Sequence, residues 1–302
     1  MEWLTCIKGA INYMENHLLT IQNVEEVADY VHISPMYLQK GFQIMTGYTI
    51  GEYLRNRKLY HAALDIVDSQ EKIIDIAYRY GYETPESFTK AFTRFHSAPP
   101  SAIRKNRYLM KPFHPLRINI VIQGGEKMDF TIQKLTGLKL IGFSREFSFD
   151  HSYEEIPKFW DEVYGKHQAL IFAGKTPSND LEQAVYDNGI GEFGVCIDDI
   201  GKDGNFRYMI AGRYMGGNVP DGLEVYELPE SLWAKFKCVG AIPDAIQTVN
   251  TQIWQDWLPG NTEYELAGKY NIEWYSAFGK PTDSDYQSEI WIPVVKKITE
   301  QE

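Results

Sequence analysis

The hydrophobic positions of this chain change period once along its length. As far as residue 110 they recur every three or four residues. Leu4, Ile7, Ile11, Met14 and Leu18 open the series with the spacing of one buried helix face. Asn23 and Glu26 form a capping pattern ahead of Val24, Val27, Ala28 and Val31. A helix is then expected from Ser34 to Gly47, a long one over 50–67, a short one over 72–79, and another from Thr84 that Pro99 and Pro100 end. From residue 128 the period falls to two. Strands are expected at 129–135, 138–146, 192–198, 206–214, 223–228, 231–239, 270–276 and 287–295. Amphipathic helices over 152–166 and 243–257 interrupt them. The second half thus reads as a β-β-α-β-β module written twice, an α+β domain with an antiparallel sheet.

The helical half also repeats itself. SPMYLQKGF at 34–42 returns as TPESFTKAF at 84–92. In both, a hydroxyl residue (Ser34, Thr84) stands at the N-cap and a proline (Pro35, Pro85) at the first helical position. Apolar residues follow at 38, 42, 45 and at 88, 92, 95, on one face. The opposite faces carry Met36, Gln39 and Lys40, then Glu86, Thr89 and Lys90. A fixed buried face with a varied polar face is one scaffold used for two similar readings. Each repeat is the second helix of a helix–turn–helix pair, and the long helix joins the pairs. Residues 112–127, PFHPLRINIVIQGGEK, break the pattern with prolines and paired glycines. They are read as a linker between domains 1–111 and 128–302, with INIVI as a short strand.

Charge sharpens this division. The net charge of −11 is unlike that of a nucleic-acid binder. Residues 1–111, however, hold 13 Lys and Arg against 12 Asp and Glu, while residues 128–302 hold 15 against 28. The acidity, −13, belongs to the second domain; the first stands at +1. Three cysteines without a CxxC fit reduced thiols in a cytoplasmic protein. No signal peptide and no apolar run long enough to span a membrane is expected. The seven histidines show no metal-ligand spacing, GGEK at 124–127 is a turn rather than a phosphate loop, and no cofactor is expected.

ISPMYLQKGFQIMTG, IGEYLRNRKL and IIDIAYRYGYETPESFTKAFTRFHSAPPSAIRK make residues 5–108 resemble the AraC-type DNA-binding domain. The resemblance implies that one chain lays two recognition helices into successive major grooves of double-stranded DNA, held apart by a rigid bridging helix. Carried over by position, the base-reading candidates are Met36, Gln39, Lys40, Glu86, Thr89 and Lys90. Arg57, Arg94, Arg104 and Lys105 are assigned to phosphates.

In the second half, ELPESLWAKFKCVG, IPDAIQTVNTQIWQDWLP, IEWYSAF and SEIWIPV resemble the GyrI-like effector-binding domain. That resemblance implies a ligand pocket between two modules, with Glu289 at its centre. Strand alternation adds Glu273, Tyr275 and Trp291, taken to line the same concave face. Trp160 and Tyr164 are added as walls from the first helix. A carboxylate among aromatic rings suits an amphipathic cation. The expected protein is a ligand-responsive transcription regulator, an activator with RNA polymerase as a further partner. Two other readings stay open. One is a hydrolase using Glu273 and Glu289 as bases, the other an acidic module that docks a protein; ligand turnover and ligand-induced stabilisation separate them.

Overall fold

The computed structural model describes residues 3–118, 128–149, 151–172, 176–199 and 205–297. INIVI, apart from Ile118, and GGEK fall outside those residues. The chain divides into two compact units. One comprises Leu4–Ile33 and Leu38–Ile122; the other comprises Gln123–Glu302 with the short pieces Met1–Trp3 and Ser34–Tyr37.

The helices of the N-terminal half are α1 (Trp3–Asn16), α2 (Val24–Tyr30), α3 (Pro35–Thr46), α4 (Ile50–Asp68), α5 (Ile73–Arg79), α6 (Pro85–His96) and α7 (Pro100–Lys105). Their ends follow the sequence signals. Asn23 accepts from the Glu26 N–H at 3.1 Å, and Thr84 accepts from the Ser87 N–H at 3.2 Å with Pro85 at the first helical position. Gly47 ends α3 at φ +76, a conformation that costs glycine little. Thr49 and Glu52 form a reciprocal capping box at the start of the bridging helix α4. Leu59, Ala63 and Ile66 of α4 pack on Ile76, Phe88 and Phe92, all buried, so the long helix is the floor on which the second helix–turn–helix rests.

Two sequence readings change here. Pro100 does not merely terminate a helix: α6 ends in left-handed Ser97, and Pro100 opens α7, where its missing N–H is not needed. The segment after residue 110 is also not free linker at its start. Phe113 lies among Tyr48, Tyr53 and Phe95, with ring centroids 5.4, 6.0 and 5.9 Å away. Arg57 donates to the Phe113 carbonyl, and the Leu116 N–H donates to Tyr53 Oη at 3.4 Å.

In the C-terminal half all eight expected strands form, with ends within two residues of expectation: β1 (Phe130–Leu135), β2 (Leu138–Ser148), β3 (Phe193–Ile197), β4 (Asn205–Arg213), β5 (Glu224–Leu228), β6 (Ser231–Val239), β8 (Tyr270–Tyr275) and β9 (Gln287–Lys296). A three-residue strand, β7 (Tyr264–Leu266), pairs with β9 and was not expected. The helices are α8 (Ser152–Phe172), α9 (Asp180–Asp187) and α10 (Asp244–Gln252), the last continuing through a π-type turn at Ile253–Trp257.

All strands join one antiparallel sheet in the order β1-β6-β9-β8-β3-β4-β2-β5, with β7 beside β9. This order reads the same from either end once β1, β2, β3 and β4 are matched with β5, β6, β8 and β9. Two copies of one module meet at the β3–β8 pair, and each lends its first strand to the other copy's second. One sheet face lies under helices, with Phe147 against Phe159 of α8 and Phe236 against Trp257. The other collects Leu140, Phe193, Val195, Met209, Trp233, Ile272 and Trp291.

Candidate functional site

Residues directly opposite each other in a ladder share a face, and the face alternates along each strand. The β8–β9 register pairs Ile272 with Trp291, Glu273 with Ile290, Trp274 with Glu289, and Tyr275 with Ser288. Glu289 and Trp291 therefore lie on the face of Trp274, whereas Glu273 and Tyr275 lie on the helix-covered face of Ile290. The sequence reading set all four on one concave face; the register separates the two carboxylates.

Glu273 is the better furnished of the two. Tyr275 donates to its Oε2 at 2.9 Å and Tyr208 donates to the same oxygen at 3.3 Å. Trp160 of α8 donates its indole N–H to Tyr208 Oη at 2.9 Å. The Trp160 ring stands 5.3 Å from Tyr275 and 5.2 Å from Tyr164. Four sequence candidates, Glu273, Tyr275, Trp160 and Tyr164, are thus brought together. Tyr208 and Gly194 complete the site and were missed. Tyr208 projects from β4 on the face of Cys196, its ladder partner. Gly194 stands directly opposite Glu273, and a Cβ there would come within 2.1 Å of Tyr208 Oη and 3.3 Å of Glu273 Oε2. A glycine inside a strand is the sequence signal that marked this close approach.

Burial, reinforced by the Glu273 charge, pushes the Tyr208 and Tyr275 phenols well above their ordinary range. Burial pushes Tyr164 up to about 12, with a contribution from Tyr286. All three stay protonated at neutral pH and remain donors. The cluster is a carboxylate with two phenol donors under an indole.

On the opposite face Glu289 Oε2 accepts from the Trp291 indole at 2.6 Å. Lys235 Nζ already lies 3.6 Å from the Trp291 ring centroid, and Arg213 lies 5.4 Å from that of Phe193. Trp274 donates to Glu192 at 2.8 Å. The cation–π positions there hold the protein's own cations.

The DNA-facing candidates also divide. On α6, Glu86, Lys90 and Arg94 are exposed and Thr89 half-buried, all on one side; Lys105 of α7 is exposed. On α3, Lys40 is half-buried, but Met36 is 3% exposed and Gln39 2%. Gln39 Oε1 accepts from the Ile50 N–H at 3.3 Å, at the first turn of α4. Arg57, 3% exposed, is turned inward. It donates to Glu15 through Nε at 2.7 Å and through Nη2 at 2.6 Å. Burial works to raise the Glu15 carboxyl, but hydrogen bonds from Arg57 and Tyr53 outweigh it and hold the pKa below the ordinary value. Arg57 is therefore a structural ion, not a surface phosphate ligand. Arg104 donates to the carbonyls of Ile66, at 3.2 Å, and Glu71, at 2.6 Å, tying α7 to the end of α4. Between α4 and α6 an open groove of about 370 Å³ is lined in part by Arg55, Asn56, Arg94 and Lys111.

A family model for integron-associated effector-binding proteins matches residues 131–294, over half the chain. The chain belongs to that family. A helix–turn–helix model matches residues 27–106 of this effector-binding protein. Its N-terminal half is 30% identical over 116 residues to the multiple antibiotic resistance protein MarA of Escherichia coli, covering 36% of this chain and 88% of MarA. The transcriptional regulator Rob of Salmonella typhimurium is 27% identical over 183 residues, covering 55% of this chain and 58% of Rob. The structure of SAV2435 bound to tetraphenylphosphonium aligns at 25% identity and a TM-score of 0.44, covering 56% of this chain and 94% of SAV2435. The effector-binding protein is a transcription regulator, with an AraC-type DNA-binding domain ahead of its effector-binding domain.

Proposed function

We propose that this regulator binds an amphipathic cation at Glu273, between α8 and the sheet, and reads DNA chiefly through α6. The observation that carries the first part is a cluster built on one carboxylate: Tyr208 and Tyr275 donate to Glu273, Trp160 donates to Tyr208, and Tyr164 packs on Trp160. Glu273 supplies the charge, the phenols fix its orientation, and the indole supplies a π face. Glu86, Thr89 and Lys90 then meet base edges, and Arg55, Arg94 and Lys105 meet phosphates. The half-buried Lys40 is kept as a base contact; Met36, Gln39, Arg57 and Arg104 are left out for the placements given above. Effector binding alters transcription, with activation through RNA polymerase as the proposed outcome, if the effector favours one of two arrangements of the protein.

The test is a melting scan of the full chain with tetraphenylphosphonium and with uncharged tetraphenylmethane. Only the cation should raise the melting temperature of the wild type and of Glu289→Gln, and it should leave Glu273→Gln unmoved. A shift that survives in Glu273→Gln and vanishes in Glu289→Gln would move the site to the other face of the sheet.

A further inference from the structure

We propose that Asn271 is a specificity determinant of the effector site, and that the effector is a cation bearing hydrogen-bonding groups rather than a bare lipophilic ion. This rests on the reading of the Glu273 site given above.

Asn271 lies two residues before Glu273 on β8 and so shares its face. It sits opposite Cys196, whose other ladder partner is Tyr208, the phenol that donates to Glu273. Its burial is nearly complete, at 1% exposure. Yet its side-chain nitrogen and oxygen both lack a hydrogen-bond partner. A carboxamide offers two donors and two acceptor positions, and native interiors rarely leave such groups unmade. The neighbouring polar groups are committed: Tyr275 and Tyr208 to Glu273, and Trp160 to Tyr208. Among the described residues of this face, Asn271 and the Ser288 hydroxyl opposite Tyr275 have directional capacity left over, and Asn271 alone offers both an amide donor and an amide acceptor.

The consequence concerns selectivity. A carboxylate and aromatic faces accept any lipophilic cation of suitable size, because neither charge pairing nor π contact demands a direction. A buried amide does. A partner that meets it gains directed hydrogen bonds, and a partner that cannot meet it leaves the amide unpaired, which counts against that partner. Leucine at this position would serve a purely lipophilic cation better. An amide here fits an effector with amine, amide or hydroxyl groups a few ångströms from its charge.

Two permanent cations separate these cases: tetraphenylphosphonium, with no hydrogen-bonding group, and ethidium, with two aromatic amines. Affinities are measured by titration calorimetry on the full chain, for wild type, Asn271→Leu and Asn271→Ala. Asn271→Leu should lose about tenfold in ethidium affinity while its tetraphenylphosphonium affinity stays within about twofold. Without ligand it should melt no lower than wild type, because a buried unpaired amide has been removed. Asn271→Ala keeps the comparison available if leucine does not fit. Equal losses for both cations would assign Asn271 to packing, and unchanged affinities would show its amide to be satisfied by water alone; either result overturns the inference. Failure of the wild type to bind either cation overturns the Glu273 site itself, a different outcome from failure of its selectivity.

Discussion

Arg57 and Glu289 carry chemistry that their sequence context describes well and their positions redirect. A guanidinium on the bridging helix of a DNA-binding unit looks like a phosphate ligand. Burial turns it instead into the tie between Glu15, the Phe113 carbonyl and His61, whose Nε2 lies 2.9 Å from Nη2. Removing it strands the Glu15 carboxylate, so Arg57→Ala should lower unfolding free energy by about 3–5 kcal/mol in urea titrations. The fraction that folds should keep the wild-type salt dependence of DNA binding, which loss of a true phosphate ligand would reduce. Glu289 shows a different limit on sequence reading. Alternation along one strand tells which of its residues share a face, but not which face of a neighbouring strand they join. A one-residue step in register exchanges the two sets. Glu273 with Tyr275, and Glu289 with Trp291, were each correctly grouped; that the two groups lie on opposite faces is set by the β8–β9 ladder.

At the scale of elements, the sequence was most informative where chemistry marks the ends. The two recognition helices announce themselves through Ser34-Pro35 and Thr84-Pro85, and the strands through alternation. The helix α9 was missed although Asn179 caps it, accepting from the Glu182 N–H at 2.9 Å, with Ala184 and Val185 buried behind. That signal is present but short. β7 has three residues, too few for any period to show. The junction of α6 with the segment that follows has a chemical consequence. The Lys111 N–H donates to His96 Nδ1 at 3.1 Å, so the ring's proton is on Nε2, 3.2 Å from the Leu59 carbonyl. Burial, with a smaller opposing effect from the Leu59 carbonyl and a further lowering by Lys111, holds His96 below its ordinary pKa. The folded state therefore binds fewer protons than the unfolded one near that range. Stability is fully present above the unfolded pKa of about 6.5 and falls as the pH drops below it. Urea midpoints at pH 7.5 and 5.5 should show a loss that is smaller in His96→Asn than in wild type. His61 and His167, lowered chiefly by burial, supply the remainder.

Across the whole molecule, charge is divided as function divides. The acidic C-terminal half repels DNA, so affinity must come from a small basic surface around α6 and should be steeply dependent on salt. Arg94→Ala should lower the slope of log affinity against log salt by about 1, read by fluorescence anisotropy, while an unchanged slope would take Arg94 off the phosphates. Duplication of the C-terminal half was legible as a repeated order of strands and helices. The exchange of first strands between copies was not, because nothing in a strand's own residues names its neighbour.

That exchange bears on the chemistry open to the site. A single module would have a first strand with no second strand of its own to accept it, and its β3 would offer an unpaired edge. Two copies in one chain satisfy both needs at once by trading first strands about a pseudo-twofold axis. Because both copies lie in one chain, the two half-sites are free to differ: where one holds Glu273, the other holds Gly194 opposite it. Chemical asymmetry of that kind is closed to a homodimer, whose every substitution appears twice.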